Sequence, residues 1–213
     1  MANIIPAILA VTEEEYRAKL RKIEESREFE WVQIDLMDNK FVQNAGIAPE
    51  IIARYPTDLK VEIHLMVENP ANWMDKLKLL GISRLVAHIE VGDEEIRKFI
   101  DKVKEEGLEV GLAINPETEV DKVKLFLNEI NALLVMSVHP GKSGQEFMPE
   151  VLSKIEEIKQ KNPDTLVGVD GGIGVENAKL VVDAGADYLV VGSHLTDGNI
   201  EENFQILWRQ LNN

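Results

Sequence analysis

Apolar residues along this chain fall into two alternating patterns. Short runs rich in valine, isoleucine and leucine indicate buried strands, and longer segments with an apolar residue every three or four positions indicate covering helices. The short runs predict strands at 4–9, 31–37, 59–66, 84–88, 108–114, 132–138, 165–170 and 188–192. The longer segments predict helices at 12–26, 70–80, 93–106, 117–130, 149–161, 175–184 and 199–211, with a shorter one at 48–54.

Regular alternation of strand and helix predicts a parallel sheet with right-handed crossovers. Eight such units close naturally into a (β/α)8 TIM barrel, the α/β fold that we predict. A doubly wound open sheet is the alternative, but it usually carries a G-x-G-x-x-G turn after its first strand, where this chain has Ala10-Val11-Thr12. Neither a linker nor a low-complexity run interrupts the pattern, so we expect one domain over residues 1–213.

The charge balance narrows the range of partners. A net charge of −15 argues against nucleic acid or an anionic membrane as the partner. An anionic small molecule remains compatible, because backbone N–H groups bind anions without basic side chains. The chain has no cysteine, its first residues lack the basic region of a signal peptide, and no apolar run is long enough to span a bilayer. The expected location is the cytoplasm.

Ionisable side chains stand at the ends of three predicted strands. These are Asp35, His64 and Asp170, and burying such groups costs free energy unless they are paired or used. In a TIM barrel the chemistry lies where the strands end. Because strand side chains alternate, Gln33 is expected on the same side as Asp35, and Glu62 and His64 inside the barrel. Strands two and seven lie across the mouth, so the two aspartates are predicted to flank one ligand.

Two carboxylates on opposite faces of a carbon can together invert it. One removes a proton and the other delivers a proton from the opposite side. The carbon has to lie next to a carbonyl, and the resulting enediolate needs nearby positive charge, which a metal ion usually supplies. Asp35 and Asp170 are the predicted acid/base pair.

Glycine-rich segments follow the last three predicted strands, and barrels often hold phosphate with the loops after strands seven and eight. Backbone N–H groups in such loops bind an anion. Gly171 and Gly172 are expected to open the helix after strand seven. For the side chain of Lys142, a phosphate contact and a solvated position are both open. The predicted phosphate-binding residues are Gly141, Lys142, Ser143, Gly144, Gly171, Gly172, Gly192 and Ser193.

The whole chain resembles the ribulose-phosphate 3-epimerases. Six motifs carry the resemblance, in order along the chain: Pro6-Ala7-Ile8-Leu9, Asp35-Leu36-Met37-Asp38, His64-Leu65-Met66, Met136-Ser137-Val138-His139-Pro140-Gly141, Asp170-Gly171-Gly172 and Gly192-Ser193. The resemblance implies the ribulose-phosphate-binding type of TIM barrel and metal-assisted proton transfer at carbon 3 between D-ribulose 5-phosphate and D-xylulose 5-phosphate, a step of the pentose phosphate pathway.

The resemblance also implies roles for particular residues. Asp35 and Asp170 would be metal ligands as well as acid and base, and His64 would be a further ligand that borders the substrate. The cofactor would be a divalent ion (Zn, Fe, Mn or Mg), and the partners a sugar-phosphate substrate and further copies of the chain in a homo-oligomer.

The chain departs from the family pattern near the expected metal. Gln33 stands where the family has histidine, and Ala7 stands where it has a serine that touches substrate. Lys142 and Ser143 replace phenylalanine and glycine in the phosphate loop. An amide oxygen is a weaker ligand for zinc or iron than imidazole. A site that prefers magnesium or manganese, one that binds weakly, and one that binds no metal are therefore open alternatives.

Several functions remain compatible with these residues. The leading one is an epimerase of ribulose 5-phosphate or another ketose phosphate, and the second is a sugar-phosphate-binding barrel without turnover. A lyase related to the sugar-phosphate decarboxylases would carry Asp-x-Lys-x-x-Asp on strand two, where this chain has Asp35-Leu36-Met37-Asp38. Taken alone, His64 would be a core histidine bonded to Glu62, but together with the other motifs it is assigned to the site. His88 and Glu90 are interpreted as structure of the barrel mouth.

Overall fold

Eight parallel strands form a closed barrel in the computed structural model, which describes residues 2–212. Each strand pairs with the next along the chain, and the eighth pairs with the first. The predicted TIM barrel is confirmed, and the predicted strands agree with the observed ones to within two residues at either end. The strands are β1 Asn3–Ile8, β2 Trp31–Met37, β3 Lys60–Met66, β4 Arg84–His88, β5 Glu109–Ile114, β6 Ala132–Met136, β7 Leu166–Asp170 and β8 Tyr188–Val191.

Helices cover the outside of this barrel. The first begins with a predicted cap, in which Thr12 Oγ1 accepts a hydrogen bond from Glu15 N at 3.2 Å. A short helix after β8 has no counterpart among the predicted segments. The α-helices are α1 Glu13–Ser26, α2 Pro49–Arg54, α3 Met74–Leu77, α4 Asp93–Glu105, α5 Leu152–Lys161, α6 Ala178–Asp183, α7 Ser193–Thr196 and α8 Ile200–Asn212.

The predicted helix at 117–130 is wrong. This segment forms two 3-10 turns, Val120–Lys122 and Leu127–Glu129. Its buried residues are Leu127 and the three residues Val120, Val123 and Phe126, which lie three positions apart, whereas Leu125 is 73% exposed. A repeat of three residues matches the 3-10 helix rather than the 3.6-residue turn of an α-helix. The expectation that a helix follows every strand therefore fails after β5.

Side-chain alternation divides the barrel into an outer and an inner layer. Val61, Ile63 and Leu65 pack outward in the large core between strands and helices, as predicted. The inward positions of the same strand carry Glu62 and His64, both buried. Alternation therefore points the polar groups of β2 and β3 into the barrel. Within residues 2–212, no helix has the length and apolar character needed to cross a membrane.

Candidate active site

Three ionisable side chains meet at the carboxyl end of the barrel. Asp35 lies directly opposite His64 in the β2–β3 register, and Asp170 is the last residue of β7. His64 Nδ1 is 3.1 Å from Asp35 Oδ1 and 3.7 Å from Asp170 Oδ2. The structure thus brings together the three residues that the strand-end pattern predicted.

Gln33 joins the two carboxylates from below. Its Nε2 donates to Asp35 Oδ1 and to Asp170 Oδ2, both at 2.8 Å. Its Oε1 is buried and has no hydrogen-bond partner among the described residues. One amide therefore relieves the repulsion between two carboxylates, while its oxygen is left without a bond.

The cluster holds a proton near neutral pH. Burial, together with the charge of Asp35, raises the pKa of Asp170 to about 7. Burial alone would lower the pKa of His64, but the hydrogen bond and charge of Asp35 outweigh it, so that pKa is raised. A carboxyl group that titrates near 7 is suited to give and take a proton at physiological pH.

His64 does not bond to Glu62, so the interpretation as a core histidine paired with that residue is wrong. Glu62 Oε2 instead accepts from Arg84 Nη1 at 2.8 Å, deeper in the barrel. His64 Nε2 lies 2.9 Å from His88 Nε2, and His88 Nδ1 lies 3.1 Å from Glu90 Oε2. The sequence does not connect His88 and Glu90 to the site, because strand alternation does not predict which histidine a neighbouring strand brings alongside.

A pocket of about 330 Å³ opens above the cluster and contains the predicted phosphate loops. This volume suits a small metabolite. Asp35, His64 and Asp170 form part of its wall, whereas Gln33 is not among the lining residues. The lining also includes every predicted phosphate-binding residue: Gly141, Lys142, Ser143, Gly144, Gly171, Gly172, Gly192 and Ser193.

The two glycines after β7 lie in a loop and do not open a helix, which corrects that prediction. Gly171 and Gly172 have φ values of 118° and 62°, and α6 begins only at Ala178. A Cβ on Gly172 would lie 2.6 Å from Phe147 N. Glycine is required here because the backbone is left-handed and packs directly against the loop after β6.

One helix contributes to the pocket a lysine that is not among the predicted site residues. Lys19 of α1 lines the cavity, and its Nζ donates to Leu9 O at 2.8 Å and to Glu15 Oε1 at 2.7 Å. The spacing of four residues between Glu15 and Lys19 was the available signal, since such residues share one helix face.

The chemistry of the donor set suits a metal ion. Asp35, His64 and Asp170 each offer one ligand atom, and these atoms lie within 4.8 Å of one another. Met66 and Met136 line the adjoining pocket wall. Carboxylate and imidazole are ligands for several divalent ions, so this group can hold one.

Comparison with known proteins places this arrangement in a family. Residues 3–196 match the ribulose-phosphate 3 epimerase family. The chain belongs to this family. It is 34% identical to a ribulose-phosphate 3-epimerase of Bacillus subtilis (strain 168), over 91% of either chain. It is 37% identical to a protein of the same name from Methanocaldococcus jannaschii, over 91% of this chain and 83% of that one.

Solved structures show the same fold at much lower sequence identity. KGPDC from Streptococcus mutans superposes with a TM-score of 0.75 at 11% identity, over 99% of this chain and 97% of that one. Two of the residues at which this chain differs from the family pattern lie side by side in the barrel. Ala7 of β1 and Gln33 of β2 are register partners in the sheet.

Proposed function

We propose that this protein is a ribulose-phosphate 3-epimerase that inverts carbon 3 between D-ribulose 5-phosphate and D-xylulose 5-phosphate. One observation carries the proposal. Asp35 and Asp170 share a single amide donor, 2.8 Å from either, at the base of a pocket that also contains glycine-rich loops. A carbon seated between two such carboxylates is accessible to a proton-transfer group on both faces.

The proposed reaction moves two protons and leaves the total charge of the two aspartates unchanged, because one gains a proton while the other loses one. One aspartate accepts the carbon-3 proton, and the C–H electron pair shifts toward the carbonyl at carbon 2, which gives an enediolate. The other aspartate, protonated at the start, breaks its O–H bond and delivers that proton to the opposite face of carbon 3. The pKa of about 7 suits Asp170 to either role at neutral pH.

We propose that the metal ligands are Asp35, His64, Asp170 and the side-chain oxygen of Gln33. The buried Gln33 Oε1 has no partner among the described residues, and rotation of the amide by half a turn would direct it at the carboxylate cluster. A bound divalent ion would supply positive charge for the enediolate oxygens. Because three of these four ligands are oxygen donors, we propose magnesium or manganese rather than zinc or iron.

The phosphate group is proposed to bind at the other end of the pocket. The N–H groups around Gly171, Gly172, Gly192 and Ser193 would hold it, since loop amides bind anions on an acidic protein. Lys142 lies in the same lining and would add one positive charge.

Removal of either carboxylate tests the proposal. Asp35→Asn and Asp170→Asn are expected to reduce epimerisation of ribulose 5-phosphate roughly 10²- to 10⁴-fold, the usual contribution of a general acid or base. Asp183→Asn is the matched control, because Asp183 is exposed and, among residues 2–212, forms an ion pair with Lys179 of its own helix alone. Wild-type turnover in both site variants would refute the assignment.

A different ketose phosphate is the second candidate, favoured by the residues that line the pocket. Ala7, Lys142 and Ser143 all lie in the lining and differ from the family pattern. A panel of pentulose and hexulose phosphates, assayed with Mg²⁺, Mn²⁺, Zn²⁺ and Fe²⁺, would identify the substrate. Binding of a sugar phosphate without turnover under every condition would instead indicate a binding barrel.

We also propose a cytoplasmic homo-oligomer, on the strength of the family resemblance. Light scattering of the purified protein and fractionation of cells would test these two points separately.

A further inference from the structure

A line of buried groups runs behind His64, away from the pocket. His64 Nε2 is 2.9 Å from His88 Nε2, and His88 Nδ1 is 3.1 Å from Glu90 Oε2. Both imidazoles are essentially inaccessible to solvent, at 1% and 0% exposure, and the ring of Phe41 packs 4.8 Å from that of His88. The protons in this line are therefore set by neighbouring side chains and not by water.

Glu90 lies at the far end of this line, and its hydrogen bonds keep it an ionised acceptor. Glu90 Oε1 accepts from Asn115 N at 2.8 Å and from Thr118 Oγ1 at 2.5 Å. Lys154 Nζ in turn donates to three backbone carbonyls of the same loop, those of Asn115, Pro116 and Thr118. These bonds keep the pKa of Glu90 low despite its burial, with the hydrogen bond to His88 as the largest lowering influence. A carboxylate can only accept, so Glu90 Oε2 accepts a hydrogen bond from His88 Nδ1.

The acceptor at Glu90 determines both histidine tautomers. Because Glu90 Oε2 can only accept, the His88 proton lies on Nδ1, and burial, which lowers the pKa of His88, favours the neutral ring. His88 Nε2 is then an acceptor, so His64 has to donate through Nε2. The remaining nitrogen, His64 Nδ1, is the one that faces Asp35 and Asp170.

We infer that Glu90 is a positioning residue that acts through His88 to keep a proton on His64 Nε2, so that Nδ1, which donates to Asp35 in the metal-free protein, is the nitrogen from which a metal beside the two aspartates would displace a proton. This inference rests on the metal site proposed above. A hydrogen-bond partner on the outer nitrogen of a ligating histidine commonly fixes its tautomer and orientation. Here a second histidine transmits that effect from a carboxylate one strand further round the barrel.

Glu90→Gln reverses the direction of the hydrogen bonds from residue 90 to His64, while the side chain at position 90 keeps nearly the same size and shape. The Asn115 N–H and the Thr118 hydroxyl both point at Oε1, so the glutamine carbonyl takes that position and the NH₂ group faces His88. His88 Nδ1 then has to accept, and its proton moves to Nε2. His64 Nε2 can no longer donate, and its proton stays on Nδ1, where a metal would bind.

Nitrogen-15 NMR of the metal-free full-length protein reads these tautomers directly. The chain has four histidines, of which His139 and His194 are not buried, so the two buried rings are distinguishable. We expect His88 protonated on Nδ1 in the wild type and on Nε2 in Glu90→Gln. Glu90→Asp keeps an acceptor and should preserve the wild-type tautomers. An Nε2-protonated His88 in the wild type, or an unchanged tautomer in Glu90→Gln, would overturn the inference.

Titration with Mn²⁺ by calorimetry measures the consequence for the metal. Glu90→Gln should weaken binding roughly 10- to 100-fold, as loss of an outer-nitrogen partner does elsewhere. Glu117→Gln removes one exposed carboxylate from the loop after β5 and should bind as the wild type does. Equal affinity in Glu90→Gln and wild type would count against the inference. A wild type that binds no Mn²⁺ would overturn the proposed metal site, while the NMR comparison, which needs no metal, would still decide the role of Glu90.

Discussion

At the scale of single residues, Gln33 stabilises two neighbouring carboxylates, Asp35 and Asp170, in one buried site. Two carboxylates this close repel each other strongly in a buried site. The Gln33 amide relieves that repulsion by donating 2.8 Å bonds to both. The same position is a histidine in the family pattern, so this residue is where metal preference is expected to differ between this chain and its relatives.

Gln33→His should change the metal preference toward zinc. Imidazole is a stronger zinc ligand than an amide oxygen, and the position adjoins the carboxylate cluster. We expect the ratio of Zn²⁺ to Mg²⁺ affinity, measured by competition calorimetry, to rise at least about tenfold. Ala7→Ser, at the neighbouring register position, is the control and should leave the ratio unchanged. An unaltered ratio in Gln33→His would show that residue 33 is not a ligand.

The raised pKa of Asp170 predicts how stability varies with pH in the metal-free protein. A carboxyl group whose pKa is higher in the folded state stabilises the fold when protonated. That contribution is complete at low pH and is lost as pH rises from about 4 through about 7. The wild type should therefore lose stability relative to Asp170→Asn across this window, by about 1.4 kcal/mol per pH unit at most. Parallel urea-unfolding curves at all pH values would contradict this.

The same proton sets the pH dependence of metal binding. A metal ion has to displace it, so affinity for Mn²⁺ should increase as pH rises toward and through about 7. Calorimetry in two buffers of different ionisation enthalpy would count the proton released. Affinity that is constant between pH 6 and 8 would show that no group of the cluster titrates there.

At the scale of elements, the pocket depends on contacts between loops that follow different strands. Asn44 Nδ2, in the loop after β2, donates to Gly141 O at 2.8 Å. Gly141 has a φ of 104°, and a Cβ at this position would lie 2.9 Å from Val42 Cβ. The two loops therefore meet at a glycine that tolerates neither a side chain nor a right-handed backbone.

Gly141→Ala should loosen this junction and weaken sugar-phosphate binding. Backbone strain at a left-handed position costs about 1–3 kcal/mol, and the contact with Val42 adds to it. Gly107→Ala separates the two effects, because Gly107 also has a positive φ, 70°, but a Cβ added there would meet no atom within 4 Å. Thermal denaturation should show a larger loss for Gly141→Ala, and only that variant should bind ribulose 5-phosphate more weakly. Equal changes in both variants would argue against the loop contact.

These elements also show how far sequence reasoning reaches. The strands were predictable because their apolar runs are short and bounded by polar segments, and alternation placed Asp35 and His64 inside the barrel. The bond from Gln33 to Asp170 was not, because alternation gives the face on which a side chain lies but not the rotamer that brings its amide to a particular partner. The segment at 117–130 was assigned to the wrong helix type, because spacings of three suit both the α-helical and the 3-10 pattern over so short a stretch.

At the scale of the whole molecule, the barrel separates the groups that stabilise it from those at the pocket. Deep inside, Arg84 bonds to the fully buried Glu62 at 2.8 Å, and its guanidinium packs over Trp31, 4.6 Å from the ring centre. Barrels characteristically place stability at the end opposite the active site. Removing one partner of such a pair leaves a buried charge without compensation.

Arg84→Met is accordingly expected to destabilise the fold by about 3–5 kcal/mol. Activity per folded molecule, measured well below the melting temperature, should change little, because Arg84 does not line the pocket. The double variant Glu62→Gln, Arg84→Met should regain much of the stability. A large loss of turnover in a fully folded Arg84→Met protein would show that the lower barrel takes part in the chemistry.

The fate of the carbon-3 hydrogen is the most direct test of catalysis by two carboxylates. The reaction should be run in D₂O on ribulose 5-phosphate and followed by NMR over the first turnovers. Transfer between opposite faces predicts that xylulose 5-phosphate carries deuterium at carbon 3 as soon as it forms, while the remaining ribulose 5-phosphate keeps its hydrogen. Product that retains the original hydrogen, or equal labelling of both sugars from the start, would contradict the roles assigned to Asp35 and Asp170.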